Sequence, residues 1–95
     1  MATMKTTVRI RAEGQVQAVG YRAFVELNAT QLNIDGWVRN RRDGSVEALF
    51  QGDPESVAKL IERCRRGPTG ALVTKFELTE EDAEAMRGFV VSPTI

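Results

Sequence analysis

Hydrophobic and polar positions alternate over residues 6–13. Val8, Ile10 and Ala12 share one face; Thr7, Arg9, Arg11 and Glu13 share the other. A period of two predicts a half-buried strand, with the outward arginines as a solvated face. Over residues 21–32 the period lengthens. Tyr21, Val25, Ala29 and Leu32 fall on one stripe with Phe24 beside it, which predicts a helix whose aromatic residues belong to the core. Asn33 is a stop signal and Asp35-Gly36 a turn. Residues 36–40 read as a short strand, Asp43-Gly44 as a hairpin turn and residues 45–51 as the return strand. Val46, Ala48 and Phe50 then face one way, with Leu49 out of phase.

The second helix has the sharpest limits. Asp53 suits its cap, Pro54 its first position and Glu55 its first turn. Val57, Leu60, Ile61 and Cys64 form its apolar stripe, Arg63, Arg65 and Arg66 complement the dipole of its last turn, and Gly67-Pro68 ends it. Residues 71–78 give a fourth strand whose imperfect alternation points to a bulge or a bend. The acidic run 79–86 reads as a solvated helical turn or loop, and residues 88–92 fit a short fifth strand ended by Pro93. The order β-α-β-β-α-β predicts an α+β, ferredoxin-like sandwich: one mainly antiparallel sheet with two helices on one face. That architecture hosts many unrelated functions, so the chemistry must come from particular residues.

Composition narrows the chemistry. Ninety-five residues make one domain with one core, and the apolar share of 42% and charged share of 27% are ordinary for a globular protein. Thirteen basic and thirteen acidic side chains cancel, so no global field steers the molecule to nucleic acid or membrane. An anion site has to be built locally. No apolar run follows the first four residues or approaches a transmembrane length, which predicts a cytoplasmic protein. There is no histidine and a single cysteine, Cys64. That removes His-based nucleophilic pairs, an internal disulfide and a structural zinc site. Cys64 lies within an apolar stripe and reads as a buried, inert thiol.

One stretch stands out. Residues 14–22, Gly-Gln-Val-Gln-Ala-Val-Gly-Tyr-Arg, join the first strand to the first helix. A glycine-bearing loop entering a helix aims unpaired N–H groups at one point, where the helix dipole favours an anion. Arg22 falls in the first turn, an unfavourable place for a cation unless an anion or carboxylate accompanies it, and its planar fork suits phosphate or carboxylate. On this stretch alone, a βα turn with a solvated arginine explains the residues equally well. Asn40, the last position before the hairpin turn, can lie near the same sheet edge in a split β-α-β arrangement. It offers an acceptor and two donors for holding a water in line with a bound group. Arg39, Arg41 and Arg42 cluster by the turn and could suggest RNA. The zero net charge and the missing aromatic reading motif favour a solvated turn that lends positive potential toward an anionic substrate.

These two stretches resemble the signatures of the acylphosphatase family. The first family motif, Gly-x-Val-Gln-Gly-Val-Gly-(Phe or Tyr)-Arg, is similar to Val16-Gln17-Ala18-Val19-Gly20-Tyr21-Arg22 with Gly14 ahead of it. The second, Gly-Trp-Val-x-Asn followed by Gly-x-Val, is similar to Gly36-Trp37-Val38-Arg39-Asn40 and Gly44-Ser45-Val46. Arg22 and Asn40 are 18 positions apart, as the family spacing requires, and the resemblance covers nearly the whole chain, 1–95, as one acylphosphatase-like domain. It implies a hydrolase of the carboxyl-phosphate bond of small acyl phosphates, with no cofactor, no metal and no covalent intermediate; a monomer is the default expectation for so short a chain. It implies that Arg22 binds the phosphoryl group together with the loop amides of Gln15, Val16, Gln17, Ala18, Val19, Gly20 and Tyr21, and that Asn40 positions the attacking water. Ala18 departs from the motif, which has glycine there. If the position needs positive φ, alanine carries about 1 kcal/mol of strain. The departure leaves a non-catalytic phosphate-binding module on the same fold as the competing expectation.

Overall fold

The structure is a computed structural model that describes residues 5–95; the leading four residues, read above only for their lack of an apolar run, lie outside the described residues. The elements are β1 (Thr6–Gln15), α1 (Tyr21–Gln31), β2 (Asp35–Asn40), β3 (Val46–Gly52), α2 (Pro54–Arg66), β4 (Leu72–Glu80) and β5 (Phe89–Val91). They form one five-stranded sheet in the order β4-β1-β3-β2-β5. All pairings are antiparallel except β2 with β5. The ferredoxin-like expectation holds, and the fifth strand is present.

The period-two pattern sorts side chains onto two faces. Val8, Ile10 and Ala12 of β1, Val38 of β2, and Val46, Ala48 and Phe50 of β3 are buried on the face that meets the helices. Tyr21, Val25 and Ala29 of α1 and Val57, Leu60 and Cys64 of α2 complete this core. Burial pushes the Cys64 thiol up to about 12, consistent with an inert core residue. Tyr21 also ties the two helices together: its hydroxyl donates to the Cys64 carbonyl at 2.7 Å. That carbonyl lies in the last turn of α2, where the helix itself supplies no partner.

Three expectations need correction. The first strand runs two residues further than its alternation suggests, so Gly14 and Gln15 pair with Val73 and Leu72 instead of belonging to the loop. The register jumps between Glu13 and Gly14, leaving Thr74 as an extra residue on β4; this is the bulge that the imperfect alternation of β4 implied. Gly14 is obligatory there, with φ 121°, because a Cβ would lie 2.2 Å from the Leu72 carbonyl oxygen. Second, Thr79 and Glu80 extend β4, and residues 81–88 carry no helix. Those residues strap across the helix-free face. Gln51 Nε2 donates to the Glu84 carbonyl at 3.0 Å, and the Met86 N–H donates to Gln51 Oε1 at 2.7 Å.

Third, the outward arginines are not simply solvated. Glu47, buried on the helix-free face of β3, accepts from Arg9 at 2.8 Å, from Arg39 at 2.9 Å and from Arg41 at 3.1 Å. Arg9 also donates to Glu81 at 2.7 Å. Arg9 and Arg39 lie over the Trp37 ring, with Cζ 5.4 and 4.5 Å from its centroid. Burial alone would raise the Glu47 carboxyl; the hydrogen bonds from Arg39, Arg9 and Arg41 outweigh it and hold the group below its usual range.

Two predictions follow from these contacts. Tyr21→Phe strands the Cys64 carbonyl and should cost about 1–2 kcal/mol in urea unfolding. A loss below a few tenths would mean that water takes over that acceptor. Glu47 contributes stability above the unfolded carboxylate value of about 4.3 and loses it as pH falls through its depressed folded value. Glu47→Gln should therefore be less stable than wild type by about 2 kcal/mol at pH 7, a figure discounted for the partly exposed arginines. The gap should start to narrow below about pH 4 and close as pH falls through the depressed folded value. Urea midpoints at pH 7 and pH 3.5 check this.

Candidate active site

The split β-α-β connection determines where the candidate residues meet. β1 and β2 both run antiparallel to β3 and flank it, so their C-terminal ends emerge at the same sheet edge. Val46 pairs with Ala12 on one side and with Asn40 on the other. Asn40 therefore lies two strand spacings, about 10 Å, from Ala12 near the end of β1. It alternates with the outward Trp37 and Arg39 and falls on the helix side, as Val38 does. The two flanking arginines point to the far face, where Glu47 holds them. For these two, of the three arginines expected to form a solvated turn that lends positive potential toward the substrate, the charge is instead engaged by Glu47.

The chain then turns from β1 into α1. Val16 is buried at the start of this turn. Ala18 takes a left-handed conformation with φ 61°, and Gly20 caps α1 with φ 80°. No side chain caps α1, and its first turn carries no acidic residue. α2 is the contrast: Asp53 accepts from the Ser56 N–H and Glu55 lies in the first turn. The α1 start thus keeps its N–H groups unassigned by any side chain, with Arg22 beside them. Arg22 joins none of the ion pairs among the described residues.

These parts surround one concavity of about 160 Å³. Val16, Ala18, Gly20, Tyr21, Arg22 and Asn40 line it, together with Ala23. Asn40 Oδ1 is buried without a hydrogen-bond partner among the described residues. A buried amide oxygen left unpaired is costly, and a water or a ligand group would satisfy it. The concavity combines unpaired helix N–H donors, a guanidinium and an acceptor. That set can hold an anion and orient a small hydroxylic molecule against it.

Of the residues expected at the site, Gln15, Gln17 and Val19 do not line the concavity. Gln15 is engaged in the sheet with Leu72, and its side chain donates to the Gly70 carbonyl at 3.4 Å. The Gln17 side chain turns toward the hairpin, where Nε2 donates to the Arg41 carbonyl at 2.7 Å and the Ser45 carbonyl at 2.9 Å. Sequence reasoning missed this link. Ala23 was also missed: it comes to the rim only because the helix begins at Tyr21. Around the turn, Asp43 accepts from the Ser45 N–H at 2.9 Å and the Ser45 hydroxyl at 2.6 Å. Those bonds, the hydroxyl first, keep its carboxyl below the usual range. On the other side of β2, the Ile95 N–H donates to the Asn40 carbonyl at 3.2 Å, and the Arg42 N–H donates to the Ile95 carbonyl at 2.7 Å. The backbone that carries Asn40 is thus held along both of its edges.

Known proteins share this arrangement of strands, loop and helix. A solved acylphosphatase from Bacillus subtilis superposes with a TM-score of 0.89 at 34% identity, covering 94% of this chain and 99% of that one. One from Coxiella burnetii gives 0.88 at 32% identity, covering 93% of each. An acylphosphatase of Rhodopseudomonas palustris (strain BisB18) is 57% identical over 84 residues, which is 87% of this chain and 85% of that protein. The acylphosphatase family model matches residues 8–91, from the first core residue of β1 through the end of β5. By sequence and by fold alike, the chain belongs to the acylphosphatase family.

Proposed function

We propose that this chain hydrolyses the carboxyl-phosphate bond of small acyl phosphates, with Arg22 and the turn amides binding the phosphoryl group and Asn40 positioning water. The observation that carries the reading is the single concavity that joins Arg22, the uncapped start of α1 and Asn40, whose Oδ1 is buried without a partner among the described residues. The amides closest to hand belong to the turn 16–21; the Gln15 backbone, tied into the sheet, contributes less than the family resemblance implies. The protein acts as a single-domain cytoplasmic monomer on a small-molecule substrate, without nucleic acid or membrane.

The chemistry needs little covalent help from the protein. Phosphoryl transfer depends on positioning and on stabilising charge spread over the equatorial oxygens. Aimed N–H groups and a guanidinium supply that stabilisation in place. Asn40 Oδ1 accepts one hydrogen of the attacking water and directs its lone pair at phosphorus. The new P–O bond forms as the bond from phosphorus to the acyl oxygen breaks. The carboxylate leaves with the bonding electrons and, being a weak base, needs no general acid. The water proton passes to an oxygen of the phosphoryl group itself, so the lack of histidine is no obstacle.

Ala18 supports the alternative of a silent binding module only if its methyl spoils the cradle. The methyl borders the concavity, and the backbone already adopts the left-handed turn that glycine would take. Alanine therefore costs strain more than shape. Ala18→Gly should stabilise the protein by about 0.5 kcal/mol, the relief of left-handed strain exceeding the entropy glycine returns to the unfolded chain. Inhibition by inorganic phosphate should stay within about threefold of wild type. A large gain in turnover would instead identify Ala18 as a brake.

Release of carboxylate from a simple aryl acyl phosphate, measured with a chelator present, tests the assignment. Wild type should turn over. Arg22→Ala should lose phosphate inhibition and activity together, by about 10²-fold or more. Asn40→Ala should lose turnover on a similar scale while still binding phosphate. A folded wild type that binds phosphate without turnover would establish the binding module.

A further inference from the structure

The two halves of the site belong to segments that share no covalent neighbourhood. The turn before α1 carries the anion-binding groups, and the end of β2 carries Asn40. One side chain joins them directly. Gln17 Nε2 donates to the Arg41 carbonyl at 2.7 Å and to the Ser45 carbonyl at 2.9 Å. Those two carbonyls belong to the residues that close the hairpin loop, whose Arg41 N–H donates to the Ser45 carbonyl at 2.8 Å. Arg41 directly follows Asn40, and Gln17 directly precedes Ala18. The amide of Gln17 thus spans from the cradle to the residue next to Asn40.

We propose that the Gln17 side chain is a positioning residue that sets the separation between bound phosphoryl group and attacking water, acting through Asn40. This rests on the hydrolase reading above. Both amide hydrogens are used on backbone acceptors, so the contact is specific to an NH₂ group. No other natural side chain of this length presents two neutral donors from one atom. In-line attack tolerates little error: a displacement of about 1 Å costs about 10²-fold in rate. Phosphate binding depends on the turn and Arg22 alone and does not need that separation.

The test uses Gln17→Met, which keeps length without donors, and Gln17→Glu, which keeps shape but places a carboxylate against two carbonyl oxygens. Each is assayed for kcat and KM on an aryl acyl phosphate, for inhibition by inorganic phosphate, and for urea stability. We expect kcat to fall about 10- to 100-fold in both variants, with phosphate inhibition changed less than about threefold. Gln17→Glu should recover part of its kcat as pH falls and its carboxyl becomes a hydrogen donor. Wild type and Gln17→Met should show no such rise. In an Asn40→Ala background, Gln17→Met should cause no further loss, because the residue acts through Asn40. Retained kcat in folded variants overturns the proposal, as does a parallel loss of phosphate inhibition or an additive double variant. If one variant does not fold, the other carries the same comparison. A wild type without turnover removes the hydrolase reading itself. Turnover in wild type with unaffected variants removes only the role of Gln17.

Discussion

The pairing of Val46 with Ala12 on one side and Asn40 on the other is the constraint on which the site depends. It follows from a topology in which β3 separates the two strands joined by α1. Sequence neighbours could not achieve it: Arg22 and Asn40 are separated by a whole helix and a strand. The sheet register fixes their distance, because a slip by one residue would send Asn40 to the opposite face. Burial of Val46, Ala48 and Phe50 against the helices opposes such a slip. The core therefore also sets the geometry of the site.

The two faces of the sheet divide the electrostatic work. On the helix side, Arg22 stands near a helix start without a carboxylate partner among the described residues. On the other side, Glu47 gathers three arginines, and Trp37 provides a surface for two of them. A neutral chain can thus keep a local positive site. Arg39 and Arg41, the cations on either side of Asn40 in sequence, are engaged by Glu47 on the far face. Among the described residues, no helix is long and apolar enough to cross a membrane.

The elements were legible because their signals are local. Asp53-Pro54, the stripe from Val57 to Cys64 and the alternation of Val8, Ile10 and Ala12 each lie within one element, and the structure reproduces them. Element order allowed Asn40 to lie near the end of β1, and the family resemblance paired it with Arg22; both residues line one concavity. The unread features join distant positions. Arg9 reaches Glu81 across 72 residues, Gln17 reaches Arg41 across 24, and Gln51 holds a strap 33 residues away. Asn28 was unread for the same reason: it is buried in α1 because the Arg63 guanidinium of α2 donates to it at 2.9 Å. The mistaken end of β1 came from the Thr74 bulge, which lets Gly14 and Gln15 keep pairing after the alternation is lost.

The bare start of α1 has a thermodynamic side. A hydroxyl or carboxylate cap is worth about 1 kcal/mol to a helix relative to alanine and a few tenths relative to glycine, and the Gly20 cap of this one leaves the N–H groups open to other acceptors. An anion that settles there becomes the missing cap. Occupancy and folding are then linked equilibria, and the first turn of α1 is firmest when the site is full. Anion concentration would raise the unfolding midpoint by mass action, each tenfold excess over the dissociation constant adding about 1.4 kcal/mol. For a hydrolase whose product is itself such an anion, the reaction would leave behind a stabiliser of the protein that performed it.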